Sequence, residues 1–556
     1  MKPINRRQFI NRLSLTAAGT VAFSGLAYSS GRLFTGFRGA EEYVNTTCAY
    51  GKLRGIRQEG VNIFKGIPYG GSVSGKNRFR RPPKVEAWTG VRDALELGAP
   101  SLQTSGWGPK PAEDCLFLNV WTPANDNKKR PVMFYNHGGG YVTGSGGSGG
   151  QDGANLARYF DVVVVETNHR LGLLGFLYLD EIAGPEYAGS GNMGVLDITA
   201  GLKWVNENIA EFGGDPNNVM VFGESGGGGK TSCIYAMPEA SPYFNKASIE
   251  SGPGVRMLTK DLAAETTEMV LKEMNIAKSD WRKLLEISPE QVLEIQNKFV
   301  FIPPFMDEIG MTNMHGFGPV VDGLVLPNHP FEPTASQISK DKPLLTGWNE
   351  DEYAFFAMQM RDTEFTKYTL DELPSKLEPQ FGSNAAEIVS AYRKANPDAT
   401  APQIFMAVSS INMMGLGSIE IAEKKTKEGR APVYLYNFGY KSDMKIPGSD
   451  FPMGTPHAMD ISYKFNNIQP PKEGEQQMRM FGDSSPASCK ASHNFAELWT
   501  NFARTGVPSA EGAPKWPAYN FKDRPTMRID TECTVINDRY KTELGMWRKI
   551  GKLHSV

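Results

Sequence analysis

The sequence is poor in cysteine, with five thiols spread over 556 residues. They form no Cys-x-x-Cys pair and no cluster with histidine at the spacing of metal ligands. Small domains that depend on several disulfides, and structural zinc modules, carry such patterns. Both classes are therefore excluded, while one or two individual disulfides remain open. The thiols are Cys48, Cys115, Cys233, Cys489 and Cys533.

An excess of charge and long apolar runs are also missing. Lys and Arg number 59 against 61 Asp and Glu, which gives a net charge of −2. Nucleic-acid binders normally have a basic excess, so no nucleic-acid partner is expected. No repeated apolar run of about 20 residues indicates a multi-span membrane protein. The 59 glycines and 37 prolines are abundant, and they indicate many strands and turns rather than a helical bundle.

The N-terminus has the pattern of an export signal. Arg6 and Arg7 precede a weakly apolar, uncharged stretch over residues 13–27. Twin arginines before such a stretch are typical of a bacterial twin-arginine signal, and the stretch is short for a membrane span. We therefore expect a signal peptide over residues 1–30, a periplasmic or secreted protein, and no stable membrane span after cleavage. The alternative is a single retained anchor.

Buried strands alternate with helical patterns in the first half of the chain. Residues 131–136 (PVMFYN), 161–167 (DVVVVET) and 219–223 (VMVFG) are nearly continuously apolar and predict parallel strands. Residues 196–212 have apolar side chains at helical spacing before a Gly-Gly-Asp-Pro stop. This order predicts an α/β fold with a mostly parallel sheet flanked by helices. A helical insertion is expected over about 259–412, and a late strand at 433–439.

A serine follows the third predicted strand in the sequence Gly223-Glu224-Ser225-Gly226-Gly227. This fits G-x-S-x-G, in which a sharp strand-to-helix turn presents the serine hydroxyl to a base. The flanking glycines allow that turn and the approach of a substrate. The alternative is an inert serine in a glycine-rich turn, which the pattern alone does not exclude.

A glycine loop, His137-Gly138-Gly139-Gly140, follows the first predicted strand. Backbone N–H groups of such a loop can stabilise a developing oxyanion, with Gly226 as a further donor. The alternative is a phosphate-binding loop. No GK[ST] follows it and no ribose-binding acid lies at the expected spacing, which disfavours a nucleotide site.

A base and an acid must complete the nucleophile, in the chain order serine, acid, histidine. His457 lies in a Gly-Pro loop, whereas His493 lies in a helical pattern and His554 next to the C-terminus. His457 is therefore the expected base. Three adjacent acids, 350–352 (EDE), follow the apolar run 344–347, and composition alone does not choose among them.

Several further stretches resemble one family, the type B carboxylesterases of the cholinesterase-like branch of the α/β-hydrolases. The resemblance extends over nearly the whole chain after the signal, so a single α/β-hydrolase domain is expected over residues 41–556. The matching stretches are 64–69 (FKGIPY), 113–120 (EDCLFLNV), 168–172 (NHRLG), 191–194 (GNMG), 212–216 (FGGDP), 499–503 (WTNFA) and 516–519 (WPAY).

The resemblance assigns the remaining roles. The family's Gly-x-Asn-x-Asp-Glu block corresponds to residues 347–352 and implies Glu352 as the acid. Its Gly-x-x-His-x-x-Glu block implies His457 as the base, with Asp460 in place of the usual glutamate. The implied oxyanion donors are the amides of Gly139, Gly140 and Gly226. The residues implied to orient the histidine are Glu224 and Ser251.

The implied activity is serine carboxylic ester hydrolysis through an acyl-enzyme, without metal or organic cofactor. The expected partner is a small or medium carboxylic ester; the oligomeric state stays open. Alternatives are an amide, carbamate or lactone substrate, or a non-catalytic esterase-like binding protein, although the latter should have lost a triad residue. Expected pocket residues are Tyr141, Phe305, Phe317, Trp348 and Met459, unless they pack in the core.

The chain departs from the family at three places. Gly226 replaces the alanine common after the nucleophile, which we expect to loosen the turn. Cys115 lacks the upstream cysteine with which many relatives pair it, so it is expected to be unpaired. The segment 101–112 is too short for the loop that carries the choline-binding tryptophan of cholinesterases, which argues against acetylcholine as the substrate.

Overall fold

The computed structural model describes residues 42–104, 108–299, 316–470 and 481–553. The expectations for the signal segment 1–30 and for Phe305 and His554 lie outside these residues.

The strands come mostly from short apolar or β-branched runs, and those at the centre are buried on both faces. The predicted strands at 131–136, 161–167, 219–223 and 433–439 are confirmed, with shifted ends. The described strands are β1 Glu42–Cys48, β2 Gly51–Gln58, β3 Val61–Pro68, β4 Val91–Asp93, β5 Phe117–Thr122, β6 Arg130–Asn136, β7 Val163–Thr167, β8 Gly214–Glu224, β9 Lys246–Glu250, β10 Leu258–Thr259, β11 Val320–Val321, β12 Leu344–Asn349, β13 Val433–Phe438, β14 Ser442–Lys445, β15 Pro452–Gly454, β16 Thr526–Ile529 and β17 Thr534–Ile536.

One large sheet organises the described part of the chain. Its strand order is β1-β2-β3-β5-β7-β6-β8-β9-β12-β13-β16-β17, with β4 paired to β2. The pairs from β7 through β16 are parallel, whereas the pairs from β1 to β7 and the last pair are antiparallel. The predicted α/β fold with a mostly parallel central sheet is therefore confirmed.

Helices cover this sheet. The helix predicted over 196–212 is present as α3 followed by a 3₁₀ turn, Ile209–Phe212, and it stops at Gly213, whose φ is 76°. The described helices are α1 Ala154–Phe160, α2 Gly172–Phe176, α3 Met193–Asn208, α4 Gly226–Ala236, α5 Lys260–Glu273, α6 Pro289–Lys298, α7 Tyr353–Met360, α8 Leu373–Phe381, α9 Ala385–Ala395, α10 Ala401–Ser410, α11 Leu416–Glu428, α12 Met459–Lys464, α13 Pro486–Thr505 and α14 Lys541–Lys549.

The region 259–412 differs from the single helical insertion expected there. It is largely helical, but β12 enters the central sheet within it, between β9 and β13. The described residues of the region thus form two helical segments, one on each side of a core strand. The six residues of β12 are all buried, and a buried strand this short is easily overlooked within a long helical pattern.

One helical stretch among the described residues, Ala401–Glu428, is long and apolar enough to cross a membrane by length and composition. It comprises α10, a π-helical turn at Ile411–Gly415, and α11. Of its most apolar window, 78% is buried inside the protein. Buried core helices commonly meet the same criterion.

Cys115 is fully buried and unpaired, as its missing upstream partner predicted. Cys48, Cys233 and Cys533 are likewise unpaired. Burial raises the pKa of the Cys115 thiol, so this side chain behaves as a small apolar group in the core.

Candidate active site

Ser225 lies at the sharp turn between β8 and α4. Its backbone has a φ of 59°, a conformation that residues with a side chain rarely adopt and that costs about 1–3 kcal/mol. Its amide donates a hydrogen bond to the carbonyl oxygen of Glu250 on the neighbouring strand, at 2.9 Å. The turn therefore holds the hydroxyl at the carboxyl edge of the sheet.

His457 connects Ser225 to an acid. Its Nε2 lies 2.8 Å from the Oγ of Ser225, and its Nδ1 lies 2.6 Å from the Oε2 of Glu352. Glu352 follows β12, a parallel strand of the central sheet, whereas His457 lies in a loop after β15, which belongs to a separate two-stranded antiparallel sheet. The structure thus brings together the three side chains singled out from the sequence.

Glu350, the first of the three adjacent acids, faces away from the histidine into a cluster of cations. Its carboxylate lies 2.8 Å from Arg528, 2.6 Å from Arg539 and 2.7 Å from Lys441. Burial alone would raise its pKa, but these cations outweigh burial and lower the pKa to about 2. Glu350 therefore anchors the acid loop to the C-terminal part of the chain.

Asp351, the second acid, is also engaged elsewhere. Its Oδ2 accepts hydrogen bonds from the amide of Thr455 at 2.8 Å and from Lys441 at 2.5 Å. It thereby ties the acid loop to the loop that carries His457. Only Glu352 of the three reaches the imidazole, which resolves the choice that composition left open.

Two donors fix the carboxylate of Glu352. The hydroxyl of Ser251 and the amide of Asn349 both donate to Oε1, at 2.6 and 2.7 Å. Oε2 is left to accept from Nδ1–H of His457, which keeps Nε2 as the acceptor for the serine proton. Ser251, which the family resemblance implied to orient the histidine, thus contacts the acid.

The glycine loop packs against the start of α4. Gly139 and Gly140 have φ values of 84° and 62°. A Cβ added to Gly226 would lie 2.1 Å from the carbonyl oxygen of Gly140. The space left by the missing alanine is therefore filled by the loop backbone, in contrast to the looser turn expected. The amide of Gly226 begins a helix, where N–H groups have no helical acceptor.

Comparison with known proteins agrees with this geometry. Residues 40–547 match the carboxylesterase family. The chain belongs to the carboxylesterase family. It is 34% identical over 500 residues to the para-nitrobenzyl esterase of Bacillus subtilis, covering 88% of this chain and 96% of that protein. It is 31% identical to a liver carboxylesterase of Sus scrofa, with 90% of each chain covered.

Solved structures of the family share the fold. A carboxylesterase of Geobacillus stearothermophilus superposes with a TM-score of 0.76 at 34% identity, covering 90% of this chain and 99% of that one. A PNB esterase structure gives a TM-score of 0.74 at 32% identity, with 90% and 99% covered. The expected serine ester hydrolase is thereby supported by family, fold and site together.

Glu224 lies beside the triad of this carboxylesterase. Its Oε1 is 3.3 Å from Nε2 of His457, the nitrogen that faces Ser225. Burial raises the pKa of Glu224 to about 8. Burial lowers the pKa of His457, but the Glu224 and Glu352 carboxylates outweigh burial and raise it. The two side chains are therefore close enough for a proton on Nε2 of His457 to lie between them.

Replacing Glu224 with Gln should move the acidic limb of the pH profile to lower pH by about one unit. Activity needs a neutral imidazole, and the loss of a carboxylate destabilises the imidazolium, so the base stays neutral and active to lower pH. The measurement is kcat/KM on an uncharged ester between pH 5 and 9, with the exposed Glu268→Gln as control. An unmoved limb, or one moved upward, would contradict this role of Glu224.

The pocket residues predicted from the sequence are mostly packed in the core. Tyr141 packs edge-on against Phe176, Phe317 packs against Phe299, and Met459 is buried. Trp348 is buried beside Tyr540. These rings and side chains therefore stiffen the site's surroundings.

Two residues that sequence reasoning missed flank the base instead. The rings of Phe355 and Phe356 lie 5.6 and 5.1 Å from the imidazole of His457. Both lie on α7, which begins directly after Glu352. Their position one helical turn after the acid is the sequence feature that could have identified them.

A third missed residue supports the glycine loop. The buried Lys230 on α4 donates to the carbonyl oxygen of His137 at 2.9 Å, just before the loop. Burial lowers its pKa to about 7. Within the described ranges, no group of three or more His, Cys, Asp or Glu side chains is placed to hold a metal ion.

Proposed function

We propose that the protein hydrolyses small or medium carboxylic esters with Ser225 as nucleophile, His457 as base and Glu352 as orienting acid. The observation that carries this proposal is the continuous hydrogen-bonded chain from serine to histidine to glutamate, at 2.8 and 2.6 Å. A nucleophile, its base and the group that orients the base, in this geometry, are the elements of acyl transfer.

Acylation begins when the hydroxyl of Ser225 attacks the ester carbonyl carbon and Nε2 of His457 takes the proton. The carbonyl oxygen becomes an oxyanion, which the amides of Gly139, Gly140 and Gly226 are proposed to stabilise, each contributing about 3 kcal/mol. The C–O bond to the alcohol then breaks, and His457 returns its proton to the leaving alcohol. Glu352 stabilises the imidazolium that exists between these steps.

Deacylation repeats the sequence with water. His457 removes a proton from a water molecule, which attacks the acyl carbon. The bond to Ser225 breaks, and the serine oxygen regains its proton from the imidazolium. The carboxylic acid leaves and the enzyme is restored, so the residues of this chain suffice for both halves.

The choice of ester is narrowed by the surroundings of the base. Phe355 and Phe356 present aromatic rings beside His457, which favours a substrate with an apolar group on that side. Relatives are named for different substrates, including a phenmedipham hydrolase of Pseudarthrobacter oxydans at 30% identity. In the part of the chain that the structure describes, no contact favours an amide, carbamate or lactone over an ester.

A series of p-nitrophenyl esters of increasing acyl length tests the proposal. We expect release of p-nitrophenol to reach a maximum at a short or medium acyl chain and to decline beyond it. The p-nitroanilide of the preferred acyl group, as the amide control, should react far more slowly. Failure to hydrolyse any ester of the series, or faster hydrolysis of the anilide, would overturn it.

We also propose that the twin arginines direct export to the periplasm. The support is the pattern of Arg6 and Arg7 before an uncharged stretch. In a bacterial host with a twin-arginine pathway, esterase activity should appear in the periplasmic fraction. The Arg6→Lys/Arg7→Lys variant should leave it in the cytoplasm. If the wild-type protein and the variant were distributed in the same way between periplasm and cytoplasm, the proposal would be contradicted.

A further inference from the structure

A buried ammonium lies behind the triad, between two carboxylates. Lys464, at the end of α12, donates to Oδ2 of Asp460 at 3.2 Å and forms an ion pair with Oε2 of Glu250. All three side chains are fully buried. A buried charge without a partner is costly, so each of these groups depends on the others.

Glu250 links Lys464 to the nucleophile. Its backbone carbonyl accepts the amide of Ser225 at 2.9 Å. Its other carboxylate oxygen accepts from the hydroxyl of Ser248 and from the indole N–H of Trp499, both at 2.6 Å. The residue that holds the nucleophile turn is therefore itself fixed through its side chain.

Asp460 links Lys464 to the acid and the base. Its Oδ1 accepts from the side-chain amide of Asn349 at 3.0 Å, and the same amide donates to the carbonyl oxygen of Pro456 at 2.9 Å. The backbone N–H of Asn349 donates to Glu352, and Pro456 directly precedes His457. Asp460 thus orients the residue that holds the acid loop to the histidine loop.

The surroundings of this cluster are strongly acidic. Glu224, Glu250, Glu352 and Asp460 are all buried near His457 or Lys464. Burial lowers the pKa of Lys464, but the Glu250 and Asp460 carboxylates outweigh burial and raise it, so the ammonium keeps its charge.

The other groups around the cluster do not add charge. They are the buried phenols of Tyr135 and Tyr436, whose pKa values are raised by burial, and the ring of Phe495, 5.9 Å from Nζ of Lys464. Lys464 is therefore the basic group that contacts both Asp460 and Glu250 in the described part of the chain.

We propose that Lys464 is a positioning residue of this esterase, which clamps Glu250 and Asp460 so that the nucleophile, acid and base loops stay in register and their negative charge is balanced. The proposal rests on the proposed function of Ser225, His457 and Glu352. The proposal also accounts for the aspartate at position 460. Asp460 is one methylene shorter than the glutamate usual in the family, and it reaches Asn349 while it is bonded to Lys464.

Opposite changes in the pH profile are expected from the two partners. Asp460→Asn removes a negative charge near His457, so the acidic limb of kcat/KM should move to lower pH by about one unit. Lys464→Met removes a positive charge, so the limb should move to higher pH and kcat should fall more than KM changes. The double variant loses both charges and should return toward the wild-type limb.

The experiment measures kcat/KM on a neutral p-nitrophenyl ester from pH 5 to 9, with thermal unfolding of each variant. Lys425→Met is the matched control, since Lys425 is a buried lysine that donates to the backbone carbonyls of residues 339 and 340. It should alter stability and leave the acidic limb in place. If Lys464→Met alone does not fold, the comparison of Asp460→Asn with the charge-balanced double variant carries the test.

Identical limbs for Asp460→Asn and the double variant would overturn the proposal, since Lys464 would then have no effect on the base. The proposal would also be overturned if the Lys464→Met variant were folded and active but kept the acidic limb of the wild-type protein. Failure of the proposed function is distinguishable, because it would appear as a wild-type protein without esterase activity.

Discussion

Ser225→Ala should lower the kcat of ester hydrolysis about a millionfold, to the level left by binding and the oxyanion loop alone. The hydroxyl is the only group of the triad that bonds to the substrate, and alanine retains the turn without the nucleophile. Because Ser225 is largely buried and its amide still bonds to Glu250, the variant should fold as the wild type does.

The measurement is turnover of the preferred p-nitrophenyl ester, together with covalent labelling by an organophosphonate that reacts with activated serines. The wild-type protein should gain one phosphonyl group on Ser225, and the variant none. Ser241→Ala is the control, since Ser241 lies in a 3₁₀ turn and its hydroxyl donates to a backbone carbonyl. Retained activity in Ser225→Ala would show that another residue is the nucleophile.

Glu352→Gln should lower kcat about ten-thousandfold, the loss typical when a triad acid becomes an amide. Ser251 and Asn349 both donate to Oε1, so the carbonyl oxygen of the glutamine should take that position. Its NH₂ group would then face Nδ1 of His457 and donate to it. The imidazole would carry its proton on Nε2, and it could no longer accept the proton of Ser225.

Single-turnover kinetics of Glu352→Gln on a p-nitrophenyl ester would test this tautomer argument. Glu350→Gln is the matched control, because Glu350 belongs to the same acid loop but contacts three cations instead of the base. It should lower the melting temperature and keep kcat within a few fold. A kcat for Glu352→Gln within tenfold of wild type would contradict an orienting role for the acid.

The central fold could be predicted from the sequence because its strands are short, apolar and β-branched. Buried parallel strands such as β6 and β7 carry the signal in their own residues. The turn at Ser225 was equally local, since glycines flank a serine directly after a strand. Local patterns of this kind predict the structure correctly because the tertiary contacts favour the same conformation.

Other features depended on contacts that are distant in the chain. Composition alone could not choose the acid from residues 350–352, because the cations that engage Glu350 are distant in the chain, and the resemblance to a family supplied the choice. Nothing in the local sequence singles out Lys464, because its partner Glu250 is 214 positions away. The strand β12 was missed for a different reason. It is only six residues long, which is too short a pattern to stand out from the helical region around it.

The arrangement of the triad has a consequence for the order of folding. The bonds from His457 span 232 residues to Ser225 and 105 residues to Glu352. Helices form locally within about a microsecond, whereas such distant contacts require the closing of long loops. The site therefore does not exist until β8, β9, β12 and β13 have assembled side by side. Catalysis in this protein therefore reports the assembly of these strands, and a chain in which they are not assembled has no active site.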